Sequence, residues 1–279
     1  MSEKNDRIQD WKAEKEAERK ELLGRVSTCA KEVAQSPARF KNYLKLQGIF
    51  DRYSVANVLL INNQKPGATR LKDYEGWASE NRRILKGEKG ISILHPKTYT
   101  RADGTEGVSY EVKKLFDITQ VSGIREGGFP PGANRIADIL IQTAPYDVRE
   151  VDRLDFDNNG VYYNDQQGIL YIVVSEKTRE QFCQFLTLEI AYAQVVSEYP
   201  SMDPDSANFM AKCVACSVCS KFGQKITYFE FDDLPDNWKD LEPREIRKQL
   251  DMIRSSSNRI IARASEELYH KAQKQEISL

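Results

Sequence analysis

GVYYNDQQGILYIVV, residues 160–174, sets two short runs rich in β-branched and aromatic residues on either side of Asn164–Gly168, which predicts a hairpin of two strands. Downstream the period changes. Apolar residues recur at helical spacing from about Lys177 to Ser197, again from Pro204 to Phe222, and over a long stretch from Pro243 to Lys271. Strands followed by runs of helices place this half in the α+β class. Upstream, SGIREGGFPPGAN at 122–134 carries four glycines and two consecutive prolines and reads as a linker. Two domains are therefore expected, at 1–125 and 135–279, joined by 126–134.

The first of these also mixes helices and strands. Residues 3–24 alternate acidic and basic side chains with few apolar anchors (Ile8, Trp11, Leu22, Leu23), so a charged, mobile helix is expected. Helices follow over Pro37–Ile49 and Ser54–Asn62, stopped by Pro66 and Gly67, and a short one over Asp73–Asn81 surrounds Trp77. LKGEKGISILHP leads through a turn into a strand, and the ADG turn at 102–104 returns the chain along SYEVKKLFDI. The five cysteines, an odd number, do not form a secreted disulfide framework, and reduced thiols are expected. No apolar run reaches the length of a membrane span and the first twenty residues have no signal-peptide core, so a cytoplasmic location without membrane contact is expected.

A net charge of -1 conceals an asymmetry: residues 1–125 hold 24 Lys/Arg against 17 Asp/Glu, and 126–279 hold 17 against 25. The excess concentrates in 39–97, with 12 basic residues and 5 acidic ones. Here Arg52, Tyr53, Asn57, Gln64, Trp77, Lys86 and Lys89 stand among Lys65, Arg70, Arg82, Arg83 and Lys97. Unpaired nucleic acid is held by cations along its backbone and by aromatic faces on which bases lie, and this segment supplies both. Each residue also has a structural reading: Tyr53 and Trp77 as core, Asn57 as a backbone partner, KGEKG as an ordinary charged turn.

The order YS-x-x-N (53–57), Q-x-P (64–66), a lone Trp77, KGEKGI-x-IL-x-P (86–96) and LFDITQ (115–120) resembles the amino-terminal domain of the ArdC-like antirestriction proteins of conjugative plasmids and related mobile elements. The resemblance covers residues 36–121. It implies single-stranded DNA binding, with Arg52, Tyr53, Asn57, Gln64, Trp77, Arg82, Lys86 and Lys89 at motif positions.

The same family has a later zincin-like, zinc-dependent peptidase domain with a helix bearing H-E-x-x-H, and the resemblance falls on FLTLEIAYA at 185–193. Leu188 and Tyr192 stand where the two histidines would be, and Glu189 stands at the general base. The third ligand of the family falls near Lys212. A catalytic zinc needs three protein ligands and a water. The whole chain has two histidines, His95 and His270, one in each expected domain. No metal, no cofactor and no peptidase activity are therefore expected.

At 100° per residue Glu189 shares a helix face with Phe182, Phe185, Ala193 and Val196, so its carboxylate points into an apolar stripe. Either Lys212 pairs with it from the next helix, replacing the missing metal charge, or Glu189 takes a backbone donor or solvent. Cys213, Cys216 and Cys219 share a helical face with Phe209 and no fourth ligand follows, so they read as core. The expected function is non-catalytic single-stranded DNA binding for a mobile element or phage, with an inactive peptidase-like domain that holds a host defence protein. Two alternatives stay open: an inhibitor that binds a host nuclease or defence complex without DNA, and a hydrolase working through Glu189.

Overall fold

The computed structural model describes residues 2–123, 131–155, 159–178 and 181–277. The leading helix α1 (Ser2–Ala34) runs ten residues past the expected charged segment. Leu22, Val26, Ala30 and Val33 continue one helical stripe and are all buried, so packing holds the helix beyond the point where charge patterning ends. It lies against α3 (Val55–Gln64), which Ser54 caps by accepting the Asn57 N–H. Before it, α2 (Pro37–Ile49) buries Phe40, Tyr43 and Leu44.

The sheet of this unit has the order β1-β3-β2, from β1 (Leu71–Lys72), β2 (Ile91–Thr100) and β3 (Glu106–Asp117), all antiparallel. Strand β2 is an edge, and an edge presents unpaired backbone groups. Two amides on α3 satisfy its inner half. The Asn57 side chain accepts from the Leu94 N–H and donates to the Leu94 carbonyl, each at 2.9 Å. Gln64 does the same at Ser92, again at 2.9 Å. Positions 57 and 64 lie two turns apart on α3 and meet strand positions two apart, so the helix stands in for a neighbouring strand. Farther out, Pro96 removes the next donor from that edge.

Two other motif residues also serve the fold. Trp77, on the short α4 (Tyr74–Ala78), is completely buried and donates its indole N–H to the Phe116 carbonyl at 2.8 Å. Asp117 is buried and accepts the N–H groups of Thr69, Arg70 and Thr119. Burial opposes its ionisation, but the backbone donors outweigh it and hold the carboxyl below the usual range. Gln120 closes the reciprocal cap by accepting the Asp117 N–H.

The second unit begins with α5 (Ala133–Gln142), whose Ile136, Ile139 and Leu140 are buried. The spacing of those three apolar residues is helical, and the helix starts inside the end of the expected linker, at Ala133. The expected hairpin is present as β5 (Val161–Asn164) and β6 (Ile169–Val173), and β4 (Asp147–Val151) adds a parallel neighbour to give the order β4-β6-β5. Helices α6 (Phe182–Glu198), α7 (Pro204–Lys221) and α8 (Pro243–Ile277) complete it. The fold is α+β. All five cysteines are free and buried. Among the described residues, no helix is long and apolar enough to cross a membrane.

The units are not contiguous: one comprises 1–46, 53–127 and 233–247, the other 47–52, 128–232 and 248–279. This differs from a division at 1–125 and 135–279, and the exchanged segments have visible partners. Asp51 accepts from the Lys221 ammonium at 2.7 Å, and Asn258 donates to the Asp51 carbonyl at 3.0 Å. Trp238 meets Phe40 edge-on at 5.4 Å. Of the expected linker 126–134, residues 126–130 lie outside the described residues.

Asn57→Leu leaves a buried N–H and a buried carbonyl of Leu94 without partners and is expected to lower stability by about 2–5 kcal/mol. Denaturant unfolding should show a lower midpoint at unchanged slope.

Candidate functional site

The ten residues read from the sequence as a nucleic-acid surface separate into two sets. Asn57, Gln64 and Trp77 point inward and are consumed by backbone bonds, so the structural reading holds for them. Arg82 is mostly buried and lies 3.8 Å from Glu80. Arg70 is exposed but pairs with the same carboxylate and lies 5.5 Å over the Trp77 ring, bracing the packing around it. Tyr53 is half-buried; burial pushes its phenol up, partly offset by Lys113 nearby. Arg52 is exposed and belongs to the second unit.

Arg83, Lys86 and Lys89 remain, all exposed. They stand on the turn that precedes β2, and that turn is locked from below. The Gln120 amide donates to the Glu88 carboxylate at 2.7 Å and to the Lys89 carbonyl at 2.9 Å. Gly87, with φ of 89°, makes the reversal that a side chain would strain. Glu88 is thereby turned to Gln120. Among the described residues, neither Lys86 nor Lys89 has a carboxylate partner. The turn presents fixed cations with nothing to neutralise them, an arrangement suited to phosphate.

In the second unit Leu188, Glu189, Tyr192 and Lys212 line one cleft of about 460 Å³, walled on the far side by Tyr162, Tyr163 and Asp165. Positions 188, 189 and 192 of α6 therefore come together with 212 of α7 at one cleft. The Glu189–Lys212 pair does not form. Glu189 accepts the Tyr163 N–H at 2.8 Å, on the side of β5 away from β6. Lys212 donates instead to the Glu230 carbonyl at 2.9 Å and lies 5.6 Å over the Phe231 ring. The backbone alternative for Glu189 is the one the chain adopts. Geometry explains the choice: an edge N–H fixed in β5 is a closer and more rigid partner than a flexible ammonium on α7.

Burial pushes the Glu189 carboxyl up, and the Tyr163 N–H opposes that only in part. Burial also raises the Tyr192 phenol. The donor set does not fit a zinc ion. Leu188 has no donor atom, Tyr192 resists the ionisation that a metal would need, and Lys212 is a cation. Among the described residues, no group of three or more His, Cys, Asp or Glu side chains could hold a metal. Cys213, Cys216 and Cys219 are fully buried in α7, and burial raises the thiols of Cys213 and Cys219 far out of the reactive range.

The residues that sequence reasoning missed are those of the hairpin wall. Tyr162, Tyr163 and Asp165 were legible as strand and turn, but only the packing of β5 over α6 turns them toward Glu189.

No protein-family model and no curated protein matches this chain. Among solved structures it is similar to the antirestriction ArdC protein of plasmid R388 in its metal-free form, at 15% identity and a TM-score of 0.48, over 77% of this chain and 86% of that one. The Mn(II)-bound form of the same protein is similar at 14% identity and a TM-score of 0.48, over 77% and 84%.

Because the folded state holds the Glu189 proton to higher pH than the unfolded state, this site's contribution to stability falls as pH rises through the folded value. Glu189→Gln removes that loss, so the stability of the variant relative to wild type is expected to increase from pH 4 to pH 8 in denaturant melts. Lys212→Met is expected to cost less than about 1 kcal/mol, because it loses one carbonyl bond and a cation–π contact. A loss of about 3–5 kcal/mol would instead mean that the lysine compensates Glu189.

Proposed function

We propose that this chain is a non-catalytic, single-stranded DNA-binding protein of a mobile genetic element or phage, acting against restriction or a related host defence. The observation that carries this reading is the locked turn with Lys86 and Lys89 exposed and unneutralised. The basic excess over 39–97 supports it, as does the motif order from Tyr53 to Gln120 that resembles the antirestriction proteins. The second unit is read as a zincin-like, metallopeptidase-like cleft that has lost its metal and binds a host protein without cutting it. Its support is the chemistry of Leu188, Tyr192 and Lys212 at the ligand positions.

One observation favours a second reading. Glu189 is a carboxyl with a raised pKa in an open cleft, which is what a general acid or base requires. A hydrolase working through it would lose activity in Glu189→Gln, whereas the proposed role predicts no hydrolysis by either protein.

Phosphate contacts weaken with salt, by about 0.7 in the log–log slope for each one made to a single strand. Binding of a fluorescent oligothymidylate is expected to fall steeply between low and physiological salt, and duplex of the same length should bind less tightly. The Lys86→Gln/Lys89→Gln double variant is expected to flatten the slope by about 1.4. Wild-type protein that ignores single-stranded oligonucleotides at low salt would favour the inhibitor that binds only protein.

A further inference from the structure

Past Leu94, strands β2 and β3 continue as a two-stranded arm, against whose inner part α1 lies, with Lys15, Glu16 and Arg19 beside Tyr110, Glu111 and Val112. From His95 to Thr100 every residue of β2 is exposed. Directly opposite residues of an antiparallel pair share a face, and so do residues two apart. The register puts Tyr99 opposite Gly107, Lys97 opposite Ser109, and Ile93 opposite Lys113. One face of the arm thus carries Tyr99, then Lys97 with Ser109, then His95 with Glu111, and then Lys113 toward the core. The other carries Tyr110 and Val108.

The two exposed tyrosines are held differently. Tyr99 lies across the backbone of Gly107: a Cβ on that glycine would come within 2.6 Å of the Tyr99 ring. The absence of a side chain there lets the ring lie flat on the strand while 48% of the residue stays open to solvent. An aromatic ring fixed on one face and bare on the other is a platform for a second planar group. Lys97, two residues back on the same face, is tied only to Glu111 at 3.5 Å in an exposed pair, which holds it weakly. Its ammonium is available to a phosphate. Gly90 adjoins the lysine turn, and the nine residues from it to Tyr99 span about 30 Å of strand, within reach of a single-stranded site of about 4–16 nucleotides.

We infer that Tyr99, seated on Gly107 and flanked by Lys97, is a stacking platform for an unpaired nucleobase of single-stranded DNA. The inference rests on the proposed DNA-binding reading and names the arm as the part that takes the bases. Charge supports this occupant only through the unit as a whole, which carries the basic excess, since Lys97 and Arg101 on the arm are balanced by Asp103, Glu106 and Glu111. Tyr99 also shields Gly107 in the way that aromatic residues protect glycines in sheets, so the test has to separate stacking from support of the arm.

Oligothymidylate affinity is measured for the full chain as wild type, Tyr99→Phe, Tyr99→Leu and Tyr110→Leu. Phenylalanine keeps the aromatic face, and leucine covers the glycine without one. Tyr99→Leu is expected to weaken binding roughly 5- to 150-fold, the range for loss of one stacked base, while Tyr99→Phe and Tyr110→Leu bind like wild type. Wild-type affinity in Tyr99→Leu would overturn the platform and leave DNA binding standing. Equal losses in Tyr99→Leu and Tyr110→Leu would assign the effect to the arm's folding and overturn it too. No binding by the wild type would remove the DNA reading and the platform together.

Discussion

Backbone donors and acceptors along an unpaired strand must find partners, and in this protein helix side chains supply them. On β2 the amides of Asn57 and Gln64 take both polar groups of Leu94 and of Ser92. Those four bonds pin α3 to the edge of the sheet, alongside the apolar packing of Val58, Leu59, Leu60 and Ile61. On β5 the Glu189 carboxylate takes the Tyr163 N–H. That bond ties the hairpin to α6 at the cleft, beside the buried Val161 and Tyr163 of β5. A polar group committed in this way is costly to remove and is not free to meet a ligand.

The same constraint sorts the residues that look functional in the sequence. Asn57, Gln64, Trp77, Asp117 and Gln120 are polar or aromatic at distinctive spacing, and all five bond backbone atoms inside the first unit, Gln120 holding the Glu88 carboxylate as well. The cations are sorted by their neighbours. Arg70 and Arg82 gather around Glu80, beside Trp77, and belong to the packing. The lysines of the turn at 86–90 keep their charge exposed because Glu88, the one acid among them, is drawn away by Gln120.

In the second unit the carboxylate of the candidate site has no imidazole beside it in the cleft. A glutamate beside zinc would act on a metal-bound water; here Glu189 sits between a leucine and a tyrosine side chain on α6, half-withdrawn from solvent, and closes a strand edge. Lys212 turns to the carbonyl of Glu230 and the face of Phe231. The cleft is closed on its other side by Tyr162, Tyr163 and Asp165.

By itself the sequence determined the α+β class, the hairpin at 161–173 and three of the long helices, because each of these depends on local periodicity. It also marked Asn57, Gln64 and Trp77 as special without revealing for what. Only tertiary structure decided that, since the partner of an amide lies some thirty residues away on a strand whose edge is invisible in one dimension. The same holds for the partner of Glu189, where two donors competed and distance chose the backbone, and for Tyr99, whose seat exists because register places a glycine opposite. The exchange of segments 47–52 and 233–247 between the units was equally out of reach, as it rests on contacts such as Asp51 with Lys221 that no composition shift announces.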